Sequence, residues 1–256
     1  MFKNFFKDNI FKASKRGEQL IIEKFLNEGV VVDIEDNSKW TPLHHSVKHG
    51  HINCAKFLLM RGADINHQAD GVTPTPIFLV NVNDHDMASF LIENGANLNV
   101  TSNGFSPLML AIEAGSLILS NLYIAEGADL NIQEPLFGGT ALWIASRKGY
   151  KGIVLGLLGK GVDVNKSLKS GVSPLMEAAK NGHEDVVNLL IAGGANVNAK
   201  NDIGNTALDY AELKNHYSIA RVLRLVMGEK DKKYYLEKIM EITPDVVSII
   251  QNSINS

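Results

Sequence analysis

A chain of 256 residues, 45% hydrophobic and 21% charged, carries enough apolar side chains for a packed core. Its formal net charge of −3 argues against a phosphate-tracking nucleic-acid binder. Its single cysteine excludes an internal disulfide, and with no run of about eighteen apolar residues, no transmembrane helix is expected.

The opening stretch Met-Phe-Lys-Asn-Phe-Phe-Lys-Asp lacks the uninterrupted apolar segment of a signal peptide. With the lone cysteine, this suggests a reducing, cytoplasmic setting. Phe2, Phe5 and Phe6 read either as cover for a first core or as a small exposed handle. Residues 1–36 form a degenerate terminal copy of a repeated unit: Ala13, Gly17, Ile21 and Leu26 stand 33 residues before Ser46, Gly50, Cys54 and Leu59. Asp8 occupies the place of its hydroxyl cap.

The repeat is regular from there. Gly29, Gly62, Gly95, Gly127, Gly161 and Gly194 recur at intervals of 33, 33, 32, 34 and 33 residues. A fixed period of that length marks a stacked array of supersecondary units. From Gly62 onward each glycine opens a segment such as Gly-Ala-Asp-Ile-Asn (62–66) or Gly-Val-Asp-Val-Asn (161–165). Each copy then has Thr or Ser, followed in three of six by Pro-Leu: Thr41-Pro42-Leu43-His44, Thr73-Pro74, Ser106-Pro107-Leu108, Thr140-Ala141-Leu142, Ser173-Pro174-Leu175 and Thr206-Ala207-Leu208. A hydroxyl at the N-cap accepts from an unpaired amide, and Pro suits the first helical position. Gly50, Gly115, Gly149 and Gly182 then end the first helix in four of these copies. A second helix shows one apolar face, as in Cys54, Ala55, Leu58, Leu59 and Val186, Val187, Leu190, Ile191. Helices this short must stack to be stable.

These motifs resemble the ankyrin repeat family over about residues 4–228. The resemblance implies an all-α solenoid of helix-turn-helix units with short connecting turns: a terminal copy at 1–36, five repeats across 37–201 and a C-terminal copy at 202–228. Residues 229–256 read as a charged linker, Glu229 to Lys233, and a helix pair starting at Tyr234 and at Thr243-Pro244. Val246, Val247, Ile249, Ile250 and Ile254 give the second of these an apolar face, suited to a C-terminal helical cap or, alternatively, to docking a partner or to a dimer contact. The third copy is irregular, with two prolines in Thr73-Pro74-Thr75-Pro76 and Asn83 in place of glycine; it is either degenerate or a local bend.

No catalytic constellation, phosphate loop or dinucleotide fingerprint is present, so no enzyme activity, cofactor or metal is expected. Cys54 falls at an interior position. His44 completes the Thr-Pro-Leu-His motif, with which the family ties neighbouring loops, whereas Met109, Trp143, Met176 and Asp209 replace it in other copies. His51 matches His183, leaving His45 and His49, too few for a zinc site. Asp84-His85-Asp86 reads as an enlarged polar turn. Asn99-Val100-Thr101 and Asn165-Lys166-Ser167 match glycosylation acceptors without a secretory context.

Family partners contact the turn tips and the exposed ends of the first helices. Carried over, these positions are Lys15-Arg16, Lys48-His49, Asn81-Val82, Glu113-Ala114, Arg147-Lys148, Lys180-Asn181 and Leu213-Lys214, with Trp40, Val72, Phe105, Leu136, Phe137, Val172 and Ile203 at the tips. The expected partner-binding residues are Trp40, Lys48, His49, Phe105, Phe137, Arg147, Lys148 and Lys180. A partner with an acidic segment suits the basic positions, although lysine at helix ends also follows from the helix dipole. The expected function is a non-enzymatic adaptor, scaffold or inhibitor binding a protein through a concave groove and the tips. The alternative is a regulatory subunit, or an effector like those of intracellular bacteria acting in a host cytosol, that works through the C-terminal helices.

Overall fold

The computed structural model describes residues 10–68 and 74–228. Phe2, Phe5, Phe6, Asp8, Val72, Thr73 and the expected helix pair at 229–256 lie outside the described residues. The chain divides into two compact units, Met1–Leu110 and Ala111–Ser256. In the first unit a helical stretch at 10–16 precedes α1 (Gln19–Asn27), α2 (Pro42–Lys48), α3 (Ile52–Met60), a short 3-10 turn (Pro76–Leu79), α4 (His85–Glu93) and the start of α5 (Pro107–Glu113). The second contains α6 (Leu117–Ala125), α7 (Ala141–Lys148), α8 (Lys151–Gly159), α9 (Pro174–Asn181), α10 (Glu184–Ala192), α11 (Ala207–Leu213) and α12 (Tyr217–Met227).

Local chemistry accounts for the helix starts. The hydroxyls of Ser106, Thr140, Ser173 and Thr206 accept the amides of Met109, Trp143, Met176 and Asp209 at 3.1–3.3 Å. In the second unit the first helices α7, α9 and α11 pack in one row and the second helices α6, α8, α10 and α12 in another. Leu142, Val154, Leu157, Val187 and Leu190 are fully enclosed between the rows. Each such burial contributes about 1.5–3 kcal/mol, which helices of seven to nine residues need in order to persist. In the first unit Leu43, Val47, Cys54 and Leu58 play the same part, and burial raises the Cys54 thiol pKa. Ile21, in register with buried Cys54, is 41% exposed; among the described residues its repeat has a neighbour on one side alone.

The Gly-Ala-Asp-x-Asn segments close locally and link copies. Asp64, Asn97, Asp129, Asp163 and Asn196 each accept the amide two residues on at 2.8–3.0 Å, the Asx-turn geometry. Asn66 accepts the Asn97 amide at 2.8 Å in the first unit. Asn131 and Asn165 accept those of Asp163 and Asn196 at 3.1 and 2.8 Å in the second.

The third copy departs from expectation. Pro76–Leu79 is a 3-10 turn of four residues in place of a full first helix, with Thr75 as its N-cap and Pro76 at its first position. Asn215 takes the left-handed conformation of the glycine it replaces, but Asn83 is not among the residues with positive φ. Asp84-His85-Asp86 is no polar turn: Asp84 is the N-cap of α4, accepting the Met87 amide at 3.0 Å, and His85 begins the helix.

Candidate functional site

In the first unit, Trp40 stands at the end of a turn organised by Asp36. One Asp36 oxygen accepts the amides of Ser38 and Trp40 at 2.8 and 3.1 Å; the other lies 2.8 Å from His45 Nε2. Burial works against ionisation of Asp36, but these bonds together hold its carboxyl below the ordinary range. The half-buried Trp40 ring stacks on His44 at 6.1 Å and meets His45 at 5.4 Å. Lys48, exposed at the end of α2, places its ammonium 4.6 Å from the Trp40 ring centre. Two expected contact residues, 8 positions apart in the chain, thus form one cation–π pair. His49 lies beside them, its Nδ1 bonded to the His45 carbonyl at 2.9 Å and its ring parallel to that of His51. Phe105 is half-buried after a tight Asn103-Gly104 turn, both residues with positive φ, closed by paired bonds between Ser102 and Phe105 at 3.0 Å.

The histidine cluster is structural in its contacts. His44 Nδ1 meets the Thr41 amide and hydroxyl, so Nε2 carries the proton and donates to the Pro74 carbonyl at 2.9 Å. Full burial lowers its pKa to about 4. This is the loop tie expected of the Thr-Pro-Leu-His motif. In the second unit its local half survives where Asp209 accepts both the amide and the hydroxyl of Thr206, at 2.7 and 2.6 Å. Among the described residues, Trp143 Nε1 is buried with no partner, and no group of three or more His, Cys, Asp or Glu side chains is placed to hold a metal ion.

In the second unit the expected cations are engaged. Arg147 and Lys148 both bind the Glu113 carboxylate, Lys148 at 3.0 Å, and the Arg147 guanidinium lies 5.1 Å from the Trp143 ring centre. Lys180 pairs with buried Glu177 at 3.5 Å. These contacts leave all three side chains a third or more exposed. They are held in place by residues on their own or the preceding first helix.

Phe137 has the opposite environment. It is 69% exposed, next to Leu136 at 73%, on a loop whose backbone is held by several hydrogen bonds. Buried Glu134 accepts the amides of Leu136, Phe137 and Gly139 at 2.8, 2.7 and 3.1 Å. Burial opposes its ionisation, yet the converging amides win and hold its carboxyl below the ordinary range. The Lys169 amide donates to the Phe137 carbonyl at 2.8 Å, and Gln133 bonds the Gly138 carbonyl at 2.8 Å. Glu134 was missed by sequence reasoning. Its signal is the register it shares with Asp36 and Asn201, acceptors that organise their own tips.

Known proteins share this pattern. A family model described as ankyrin repeats (3 copies) matches residues 7–69, 68–134, 118–201 and 142–233. The crystal structure of the human ASB11 ankyrin repeat domain is similar with a TM-score of 0.70 at 28% identity, covering 86% of this chain and 97% of that one. A putative ankyrin repeat protein of Rickettsia bellii is 32% identical over 124 residues, 46% of this chain and 35% of its own length. An ankyrin repeat-containing protein of Schizosaccharomyces pombe is 37% identical over 67 residues, 26% of this chain and 32% of its own length. The ankyrin repeat and SAM domain-containing protein 6 of Rattus norvegicus is 44% identical over 69 residues, 27% of this chain and 8% of its own length. The matched regions thus span between 8% and 35% of these curated relatives.

Proposed function

The chain belongs to the ankyrin repeat family, and from that premise we propose that it acts as an adaptor, scaffold or inhibitor that binds a protein partner through its turn tips and first-helix ends. Phe137 carries this reading: a large aromatic side chain stands in solvent on a loop already fixed in shape. A rigid exposed anchor loses little conformational freedom on binding, and aromatic residues of this kind dominate interface energetics. The exposed portions of Arg147, Lys148 and Lys180 add positive charge that favours a partner with an acidic segment. In the first unit the Trp40–Lys48 pair, with His49 beside it, and Phe105 offer the same combination.

The test is affinity capture with the full-length chain as bait, followed by mass spectrometry. Phe137→Ser and the double variant Arg147→Glu/Lys148→Glu should each lose the same specific partner while circular dichroism stays unchanged. A partner captured equally by both variants overturns the reading.

A further inference from the structure

The tip carrying Phe137 does not stand alone. Three successive tips of the second unit are joined by backbone hydrogen bonds: the Lys169 amide donates to the Phe137 carbonyl at 2.8 Å, and the Asp202 amide donates to the Ser170 carbonyl at 3.1 Å. Lys169 Nζ also reaches back to the Pro135 carbonyl at 2.5 Å. Two glycines permit this approach. A Cβ on Gly138 would lie 3.1 Å from the Lys169 amide nitrogen, and one on Gly171 would lie 2.9 Å from the Asn201 Cα. Both also have positive φ, 82° and 76°, so a side chain there would be strained and would push the tips apart.

The side chains on this joined row alternate in chemistry. Leu136 and Phe137 occupy one outer tip, and Ile203, 78% exposed, occupies the other. The Ile203 backbone is fixed as well: its amide donates to Asn201 Oδ1 at 3.2 Å, and Asn201 Nδ2 donates to the Tyr210 hydroxyl at 2.8 Å. The exposed Lys169 side chain starts from the middle tip and lays its ammonium on the Pro135 carbonyl, beside Leu136, using one of its three N–H groups and leaving two for an outside acceptor. Charges close by include the buried Glu134 carboxylate, whose oxygens are taken up by the Leu136, Phe137 and Gly139 amides, and, near the tips in sequence, Lys166, Lys200 and Asp202, with Asp209 close to Lys200.

Resting on the protein-binding reading above, we infer that this row of tips is the docking site for an extended, acidic segment of a partner protein, with apolar side chains on Leu136–Phe137 and Ile203 and a carboxylate on Lys169. Three exposed apolar side chains on fixed backbone have no use inside the unit, and the cation beside Leu136 selects the sign of what binds. Packed helices lie about 8–10 Å apart, so the outer tips are separated by roughly 20 Å, a span of about six extended residues. The segment therefore has two apolar positions about six residues apart and Asp or Glu close to the one that meets Leu136–Phe137.

The probe is a phage-displayed library of random dodecapeptides selected against the full-length chain. Affinities of the selected peptides are then measured by fluorescence anisotropy for the wild type, Leu136→Ser/Phe137→Ser, Ile203→Ser, Lys169→Glu and Arg147→Glu/Lys148→Glu. The expected peptides carry the spaced apolar pair and an acid close to one of its members. They should lose about tenfold or more in affinity for each of the first three variants and little for the fourth. Unchanged unfolding midpoints exclude a folding defect, since the altered side chains are exposed. Peptides that ignore all three tip variants, basic peptides, or no enrichment over the naive library overturn the docking row. If the peptides depend on Arg147 and Lys148 alone, the row falls while the wider protein-binding reading stands.

Discussion

The His183 ring lies across Gly149 so closely that a Cβ on the glycine would come 2.5 Å from Nδ1. The ring is drawn there because Nε2 donates to the Arg147 carbonyl, at 3.0 Å, at the end of the preceding first helix. His51 covers Gly17 and bonds Lys15, and His216 covers Gly182 and bonds Lys180, in the same way. Glycine at these positions thus meets two demands, a left-handed backbone and room for an imidazole.

Gly149 and Gly161 separate the two demands, because both have φ 73° but nothing would meet a Cβ on Gly161 within 4 Å. Gly161→Ala should cost about 1–2 kcal/mol from backbone strain alone. Gly149→Ala should cost at least about 1 kcal/mol more, the overpacking term. Adding His183→Ala to Gly149→Ala should close most of that gap. Urea unfolding of the four proteins checks it; equal losses for the two glycines would remove the steric role of the histidine.

His44 makes the fold acid-sensitive. Its pKa is about 4 in the folded chain against 6.5 for the free side chain, so below pH 6.5 the unfolded chain takes the proton first. Stability contributed by neutral His44 is whole above pH 6.5, falls as pH drops towards 4 and then levels off. The loss is on the order of 3 kcal/mol. His45 is shifted in the same direction, by burial that Asp36 only partly offsets. The Asp36 carboxylate contributes above its own lowered pKa, so its loss comes below this window. In His44→Gln the urea midpoint should change less between pH 7 and pH 4 than in the wild type.

Glu134 should govern the shape of its tip with little influence on the stack. Glu134→Ala leaves three amides without their acceptor, a local loss of about 1–3 kcal/mol. Hydrogen exchange at Leu136, Phe137 and Gly139 should speed up, with the thermal midpoint nearly unchanged because the loop contributes no buried large side chain. Glu134→Gln, which keeps one acceptor oxygen, should fall between. Exchange rates unaltered in Glu134→Ala would show that Lys169 and Gln133 hold the loop without it.

The repeat units are legible because their signals are local. Ser173-Pro174 starts a helix and Gly182 ends it through contacts within a few residues, and the same chemistry recurs at each copy. Prediction fails where a local signal has two meanings. Asp84-His85-Asp86 resembles a turn by composition, but the apolar stripe Met87, Ala88, Leu91 behind it makes Asp84 a helix cap. Asn83 and Asn215 occupy the same place in their copies, yet only Asn215 turns left-handed, after a full first helix that the third copy lacks.

The order of residues is enough to specify the period, the helix pair in most copies, the glycines that end the helices and the interior face of Cys54 and its counterparts. Each depends on interactions spanning a few residues or on a simple apolar stripe. Which candidate contact residues are occupied and which stand free is settled by the packing of one copy on another. Arg147 and Lys148 read as open cations until Glu113, 34 and 35 residues earlier, is brought against them. Phe137 reads as one tip residue among seven until Glu134 and Lys169 fix its backbone and leave its ring in solvent. A side chain's availability depends on what the neighbouring copy places beside it, and stacking alone sets that.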